Sequence, residues 1–264
     1  MSVWSQMPPE VWTLMGLVLG LMAGSFANVC IVRLPEERSV VFPPSHCPSC
    51  ETPIRAYDNI PVLSYLVLKG RCRACGRPIS PLYPVVEAVT GLLMAAVFWR
   101  FGVSWACLIF AWVIPALVVI TVIDIQHQII PDKITLPGIV FGVAAGWYLN
   151  GWVDTLIGLV LGSGLFTLLA EVWLRARGIQ AMGGGDIKYI AAAGALLGWQ
   201  QVLLIIFLAS LLGGVFGVLG LTSKRFHVLT RIPFGPFLAL ATLISIFFGE
   251  DLIALYLNLM IVKQ

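Results

Sequence analysis

Charge is what this chain has least of. Asp, Glu, Lys and Arg make up only 11% of its 264 residues, less than half the share of about a quarter found in soluble domains. A water-facing globule of this length is thereby excluded. The net charge of +3 is spread along the chain, so it leaves no footprint for a nucleic-acid partner. Two catalytic signatures are absent as well. There is no Gly-x-Ser-x-Gly turn and no His-Glu-x-x-His pair, which removes the serine-elbow hydrolases and the helix-borne zinc peptidases. No glycine-rich nucleotide loop follows a strand pattern, and no segment of about 20 to 50 residues repeats. The N-terminal apolar stretch lacks a basic lead-in and an Ala-x-Ala end, so it is expected to stay in place as a first span.

What fills the chain is apolar sequence. Hydrophobic residues account for 59%, and the mean hydropathy is +0.95. Apolar runs cover 11–32, 81–101, 103–123, 134–149, 152–174, 187–197, 202–221 and 237–248. Most approach the length of about 20 residues that crosses a hydrocarbon core as helix; the run at 187–197 is short. The last run is followed by Glu250-Asp251 and a short amphipathic tail. Gly16, Gly20, Gly24 and Ser25 put small residues on successive turns of the first run, which suits close helix packing. The expected fold is an all-α polytopic integral membrane protein of about eight transmembrane helices. A small cytoplasmic cysteine domain is expected between helices 1 and 2. The expected boundaries are 1–33 for the first helix, 34–80 for the cysteine domain and 81–264 for the remaining membrane domain. If residues 34–80 face the cytoplasm and the spans alternate, only Arg100 and Lys263 lie outside, leaving the other fourteen of the 16 Lys and Arg inside. That is the positive-inside pattern; the inverted arrangement violates it.

Within 34–80 stand two Cys-x-x-Cys pairs, Cys47/Cys50 and Cys72/Cys75. Four thiolates in this spacing can close around a tetrahedral zinc ion. A reducing compartment favours metal over disulfides. All four positions are cysteine, so the expected zinc is structural and has no open coordination position. Redox pairing or unligated thiols are the other possibilities. Arg71, Arg73 and Arg77 could ease thiolate formation, although solvated loop charges read the same way. His46 is a spare ligand type. Cys30 and Cys107 fall within spans and read as packing residues.

Ionisable groups beside membrane-depth sequence call for a function. Gly183-Gly184-Gly185-Asp186 leads directly into an apolar run, and Asp124 ends the third run on the same side. Two carboxylates held close cannot both ionise easily, so such a pair shares a proton. The ionised member can activate water, and the protonated one can polarise a carbonyl and protonate a leaving amine. Asp124 and Asp186 are therefore the candidate catalytic pair. Gly183, Gly184 and Gly185 are the candidate substrate-binding residues, bare enough for an extended strand to lie beside Asp186. Other readings compete. Asp186 could simply cap its helix. Asp132 could be the partner, although Pro131-Asp132 reads as a turn and helix cap. Glu87 and Glu171 sit within spans, where a structural hydrogen bond is expected. Asp58 belongs to the cysteine segment, Asp154 and Asp251 fall on the opposite side, and His127 and His227 read as loop residues.

These residues resemble a family. Gly24-Ser25-Phe26-Ala27-Asn28-Val29 with Arg33-Leu34-Pro35, the Cys47–Cys75 segment enclosing Asn59-Ile60-Pro61-Val62-Leu63-Ser64-Tyr65, and Tyr83-Pro84 with Glu87 are similar to the N-terminal half of the bacterial type IV prepilin peptidases. Ile123-Asp124 through Ile130-Pro131-Asp132, Gly183 through Lys188, and Ile232-Pro233-Phe234-Gly235-Pro236-Phe237 are similar to the remaining blocks. That family is also called leader peptidase / N-methyltransferase and falls in the Gly-x-Gly-Asp class of membrane aspartyl proteases. The resemblance implies cleavage of the basic leader of type IV prepilins or type II secretion pseudopilins after a glycine, at the cytoplasmic face of the bacterial inner membrane. It implies N-methylation of the new amino terminus by S-adenosylmethionine, Asp124 and Asp186 as the catalytic pair, and the lipid bilayer as surroundings. The residues themselves assign no site to the methyl donor beyond a polar segment near Glu36 and Glu37. A transporter using the two aspartates as a proton or cation site is the alternative, yet such sites favour mid-membrane positions and internal repeats. A zinc-stabilised scaffold without catalysis leaves the two acids unexplained.

Overall fold

The computed structural model describes residues 8–178, 182–223 and 232–261. Nine α-helices occur among them: α1 (Pro9–Arg33), α2 (Leu63–Val67), α3 (Leu82–Phe101), α4 (Trp105–His127), α5 (Asp132–Asn150), α6 (Trp152–Arg177), α7 (Gly184–Leu197), α8 (Trp199–Thr222) and α9 (Gly235–Ile261). Apart from two isolated bridges in the cysteine segment, no strand pairing occurs among the described residues. Lys224, Arg225, His227, Arg231 and Lys263, which entered the charge reading, lie outside the described residues.

Each of the eight apolar runs is a helix, and six of these helices are long and apolar enough to cross a membrane: α1, α3, α4, α6, α8 and α9. Among the bounds that differ from the apolar runs are the ends of α4 and α9. Helix α4 continues past Asp124 to His127, because Ile125, Gln126 and His127 are all residues that a helix tolerates, and it ends at Gln128, whose φ of 55° is left-handed. Helix α9 runs through Glu250-Asp251 without a break, since neither residue is a helix breaker.

The chain divides into two compact units, Met1–Val119 and Ile120–Gln264. In the first, α1 packs on α3 through one row of small residues. A Cβ at Gly16 would fall 2.8 Å from the Phe98 ring, one at Gly20 2.7 Å from Met94 Cβ, and one at Gly24 2.7 Å from Glu87 Cα. Spacing by four residues keeps these glycines on one face, so the backbones approach as small-residue membrane interfaces do.

In the second unit α7 packs against α5 and α6, and α8 against α9. At about 1.5 Å per residue the 14 residues of α7 span only roughly 21 Å, too short to cross a bilayer core unaided. Burial compensates: Tyr189, Ile190, Ala191, Ala193, Ala195 and Leu196 are all enclosed by protein. Its Ala/Gly run admits neighbours at backbone distance. Added methyl groups at Gly146, Gly158 and Gly194 would collide with the carbonyl oxygens of Ala195, Gly194 and Gly158 respectively. The Tyr189 and Thr242 hydroxyls, 2.7 Å apart, tie α7 to α9. This packing fixes the N-terminus of α7, where the glycine–aspartate sequence lies.

Candidate active site

The second unit brings Asp124 and Asp186 together. Asp124 occupies the last turn of α4 and is 5% exposed. Asp186 lies in the first turn of α7 and is half-buried. The two carboxylates are close enough for direct charge repulsion between them. Each is held by a glycine amide at a helix start. Gly235, the first residue of α9, donates its N–H to Asp124 Oδ2 at 2.8 Å. Gly183, the residue before α7, donates to the Asp186 carboxylate. Helix starts carry unsatisfied N–H groups and partial positive charge, so both acids sit where the backbone favours a carboxylate.

The glycines divide by role. Gly183 is the N-cap with φ −73° and ψ 144°, an extended conformation open to any residue. Asp186 therefore stands three positions into the helix, and its bond back to Gly183 is the return half of a capping box. At Gly185 a Cβ would sit 2.9 Å from Ile130 Cβ and 3.1 Å from its carbonyl oxygen, so the absent side chain lets α7 close on the loop before α5. At Gly184 nothing lies within 4 Å, and both Gly183 and Gly184 are exposed. The bare face beside Asp186 belongs to these two.

Gly235 did not emerge from sequence reasoning as a site residue. Its signal is local: a lone glycine between Phe234 and Pro236 at the start of an apolar helix. A Cβ there would come within 2.7 Å of Asp124 Oδ2. Asp132 takes a different part. Its two carboxylate oxygens accept hydrogen bonds from Lys188 Nζ at 2.7 Å each, an ion pair joining the starts of α5 and α7. Glu171 pairs with Arg175 at 2.8 Å along α6, and His127 is exposed.

The four cysteines of the first unit also meet. All four Sγ atoms lie within 4.8 Å of one another, and Cys47 Sγ is 3.9 Å from Cys75 Sγ. Thiolates about 2.3 Å from a tetrahedral zinc stand about 3.8 Å apart, so the cluster fits a metal ion. The two knuckles repeat one design. Cys47 N–H bonds Thr52 O and Glu51 N–H bonds Cys47 O; Cys72 N–H bonds Arg77 O and Gly76 N–H bonds Cys72 O. The matching turn residues Glu51 and Gly76 take φ of 56° and 69°, a left-handed conformation natural to glycine and costly for glutamate. Thr52, through its hydroxyl and amide, pulls the Cys50 thiol down to about 6. The amides of Cys75 and Ala74 pull Cys72 down as well. Cys75 goes the other way: although the Arg77 amide draws it down, desolvation and the neighbouring Cys50, Cys72 and Cys47 thiols push it up to about 11. Arg73 instead holds Asp58, with contacts of 2.6 to 3.1 Å, and keeps that carboxyl below the usual range. His46 Nδ1 lies 3.0 Å from the Pro44 carbonyl oxygen, apart from the cluster.

Glu87 accepts the Val62 N–H at 2.8 Å and also meets Ser25 of α1. The expected structural bond is present, but its main partner is the backbone of the cysteine segment.

Residues 18–101 match the bacterial peptidase A24 N-terminal domain, and residues 107–218, which include both aspartates, match the type IV leader peptidase family. The prepilin leader peptidase/N-methyltransferase of Stutzerimonas stutzeri is 38% identical over 280 residues, covering 95% of each chain. That of Pseudomonas putida is 36% identical over 289 residues, covering 98% of this chain and 99% of its own. That of Burkholderia pseudomallei is 33% identical over 278 residues, covering 94% and 89%. No solved structure matches the chain. With both halves matched and relatives aligned almost end to end, the chain belongs to the type IV leader peptidase family.

Proposed function

We propose that this chain is a bacterial inner-membrane aspartyl endopeptidase acting on type IV prepilins or type II secretion pseudopilins. It removes the leader after a glycine at the cytoplasmic face, the side to which the lysines and arginines point. The observation that carries this reading is the meeting of Asp124 and Asp186, each anchored by one glycine amide at a helix start.

The proposed chemistry uses the pair as a unit. The carboxylates share one proton, because like charges this close resist double ionisation. The ionised member takes a proton from water as the water oxygen bonds to the scissile carbonyl carbon. The protonated member gives a hydrogen bond to the carbonyl oxygen. The C–N bond then breaks as a proton passes to the leaving nitrogen. Gly183 and Gly184 offer a face without side chains on which an extended substrate strand can lie beside Asp186.

The relatives' shared name supports a second step, N-methylation of the new amino terminus with S-adenosylmethionine as donor. Zinc is the metal we assign to Cys47, Cys50, Cys72 and Cys75, in a structural role. Purified protein in detergent, incubated with a prepilin peptide, should release the leader. The product should gain the mass of one methyl group only when S-adenosylmethionine is added. An intact peptide after prolonged incubation would rule out the peptidase assignment, and an unmethylated product would rule out the second step.

A further inference from the structure

The stretch Asn59-Ile60-Pro61-Val62-Leu63-Ser64-Tyr65 is left without a role by the chemistry above. It lies in the polar cysteine segment, yet its continuation is apolar. Ile60, Leu63, Leu66 and Val67 are exposed by 47%, 59%, 64% and 74%. The last three recur at i, i+3 and i+4, so they share one face of α2. Its other side turns inward: Ser64 Oγ bonds Tyr57 O and receives Ile60 N–H, both at 3.0 Å, and the Tyr65 hydroxyl packs 2.9 Å from where a Gly70 Cβ would be.

The depth of this element follows from its partners. Val62, the residue before α2, donates its N–H to Glu87 at 2.8 Å. Glu87 lies five residues after Leu82, the start of spanning helix α3, or about 7 Å along its axis. Asn59 lines a pocket of about 250 Å³ with Met22, Ser25, Phe26 and Val29 of α1, all inside the end of that span at Arg33. Met22 and Phe26 are themselves open, at 61% and 55% exposed. The stretch that leads into α2 is therefore seated, at Asn59, beside an open apolar face of a spanning helix. Lys69 and Arg71 follow at once and are exposed, as suits cations at phosphate level beside an inserted apolar face.

We propose that residues 59–67 form a re-entrant foot in the phospholipid leaflet, with Leu63, Leu66 and Val67 among the acyl chains and Lys69 and Arg71 at the phosphates. Val62 has φ 63°, costly for a β-branched residue. The Glu87 bond holds it there and satisfies one N–H of the loop where water is scarce. The carboxylate inside α3 thus has a purpose unrelated to proteolysis: it seats the foot and sets the height of the metal-binding segment above the membrane.

The test uses the full chain in phosphatidylglycerol/phosphatidylethanolamine nanodiscs, with a benzophenone amino acid at position 66 or, in a second variant, at position 67. Both side chains are open, so the probe displaces no packing, and retained metal reports that the segment is folded. Controls carry the probe at Glu51 on a knuckle and at Val18 on α1. Lipid adducts at 66 and 67 should match those at 18 and exceed those at 51 by about tenfold. Adducts at 18 with 66 and 67 no higher than 51 would overturn the foot while leaving the spans intact. Adducts absent from 18 as well would overturn the spanning reading on which the foot rests. Capture of an added prepilin peptide at 66 in place of lipid would make the face a substrate dock and likewise overturn the proposal.

Discussion

At the scale of single residues, the geometry around Asp124 is unforgiving. Gly235 presents its N–H to Oδ2 at 2.8 Å, and a methyl group on its Cα would sit 2.7 Å from the same oxygen. Gly235→Ala should therefore displace the carboxylate and lower cleavage by about a hundredfold, the cost of roughly an ångström of misplacement. Single-turnover rates on a prepilin peptide measure it. Asp132→Asn separates a supporting carboxylate from a reacting one. Its ion pair with Lys188 joins side chains 56% and 37% exposed, and such pairs are worth no more than about 1 kcal/mol. Cleavage by that variant should fall at most about fivefold, which the same assay reads. Two acids beside glycine-rich or loop sequence were visible in the chain because carboxylates are rare in it. Gly235 was not, because what marks it is a contact with a residue more than a hundred positions away. The position of Asp186, three residues into its helix instead of at the cap, also escaped, since Gly-Gly-Gly gives no side chain by which to choose the first helical residue.

At the scale of helices, α7 is the element on which the site depends. It carries Asp186, it is short, and glycine contacts on α5 and α6 hold it. A Cβ at Gly158 would strike the Gly194 carbonyl, whereas one at Gly164, on the same helix, meets nothing within 4 Å. Gly158→Ala should cost about 1–3 kcal/mol by overpacking, read as a lower thermal midpoint in detergent together with slower cleavage. Gly164→Ala should change neither. The apolar runs gave the helices and their order without difficulty, because hydrophobic length is the dominant signal in a lipid-facing chain. Hydropathy ranked α7 weakly for a physical reason: it faces protein on nearly all sides, and Ala and Gly serve that packing better than Leu or Ile. The ends of α4 and α9 were less legible, since polar residues after an apolar run neither prolong nor stop a helix by themselves.

At the scale of the whole molecule, the chain joins a segment with four clustered cysteines to a pair of acids at helix ends. The cysteine spacing disclosed the four-thiol cluster at once, but not the repeated knuckle that asks Glu51 to adopt a glycine-like φ of 56°. Purified protein should contain about one zinc per chain. The ligands are thiolates, present above their titration points, so metal is held at neutral pH and lost as pH falls. Metal analysis after dialysis across a pH series checks both statements; less than about half an equivalent at neutral pH would count against the site. The central claim, that Asp124 and Asp186 act as one catalytic unit, is tested most directly by single-turnover cleavage of a prepilin peptide by Asp124→Asn, Asp186→Asn and the double variant, each with insertion and metal content verified. Residues that act as a unit lose activity non-additively: each single change should lower the rate by about a thousandfold or more, and the double variant should be no slower than the worse single one. Cleavage near the native rate by either single variant would contradict the account.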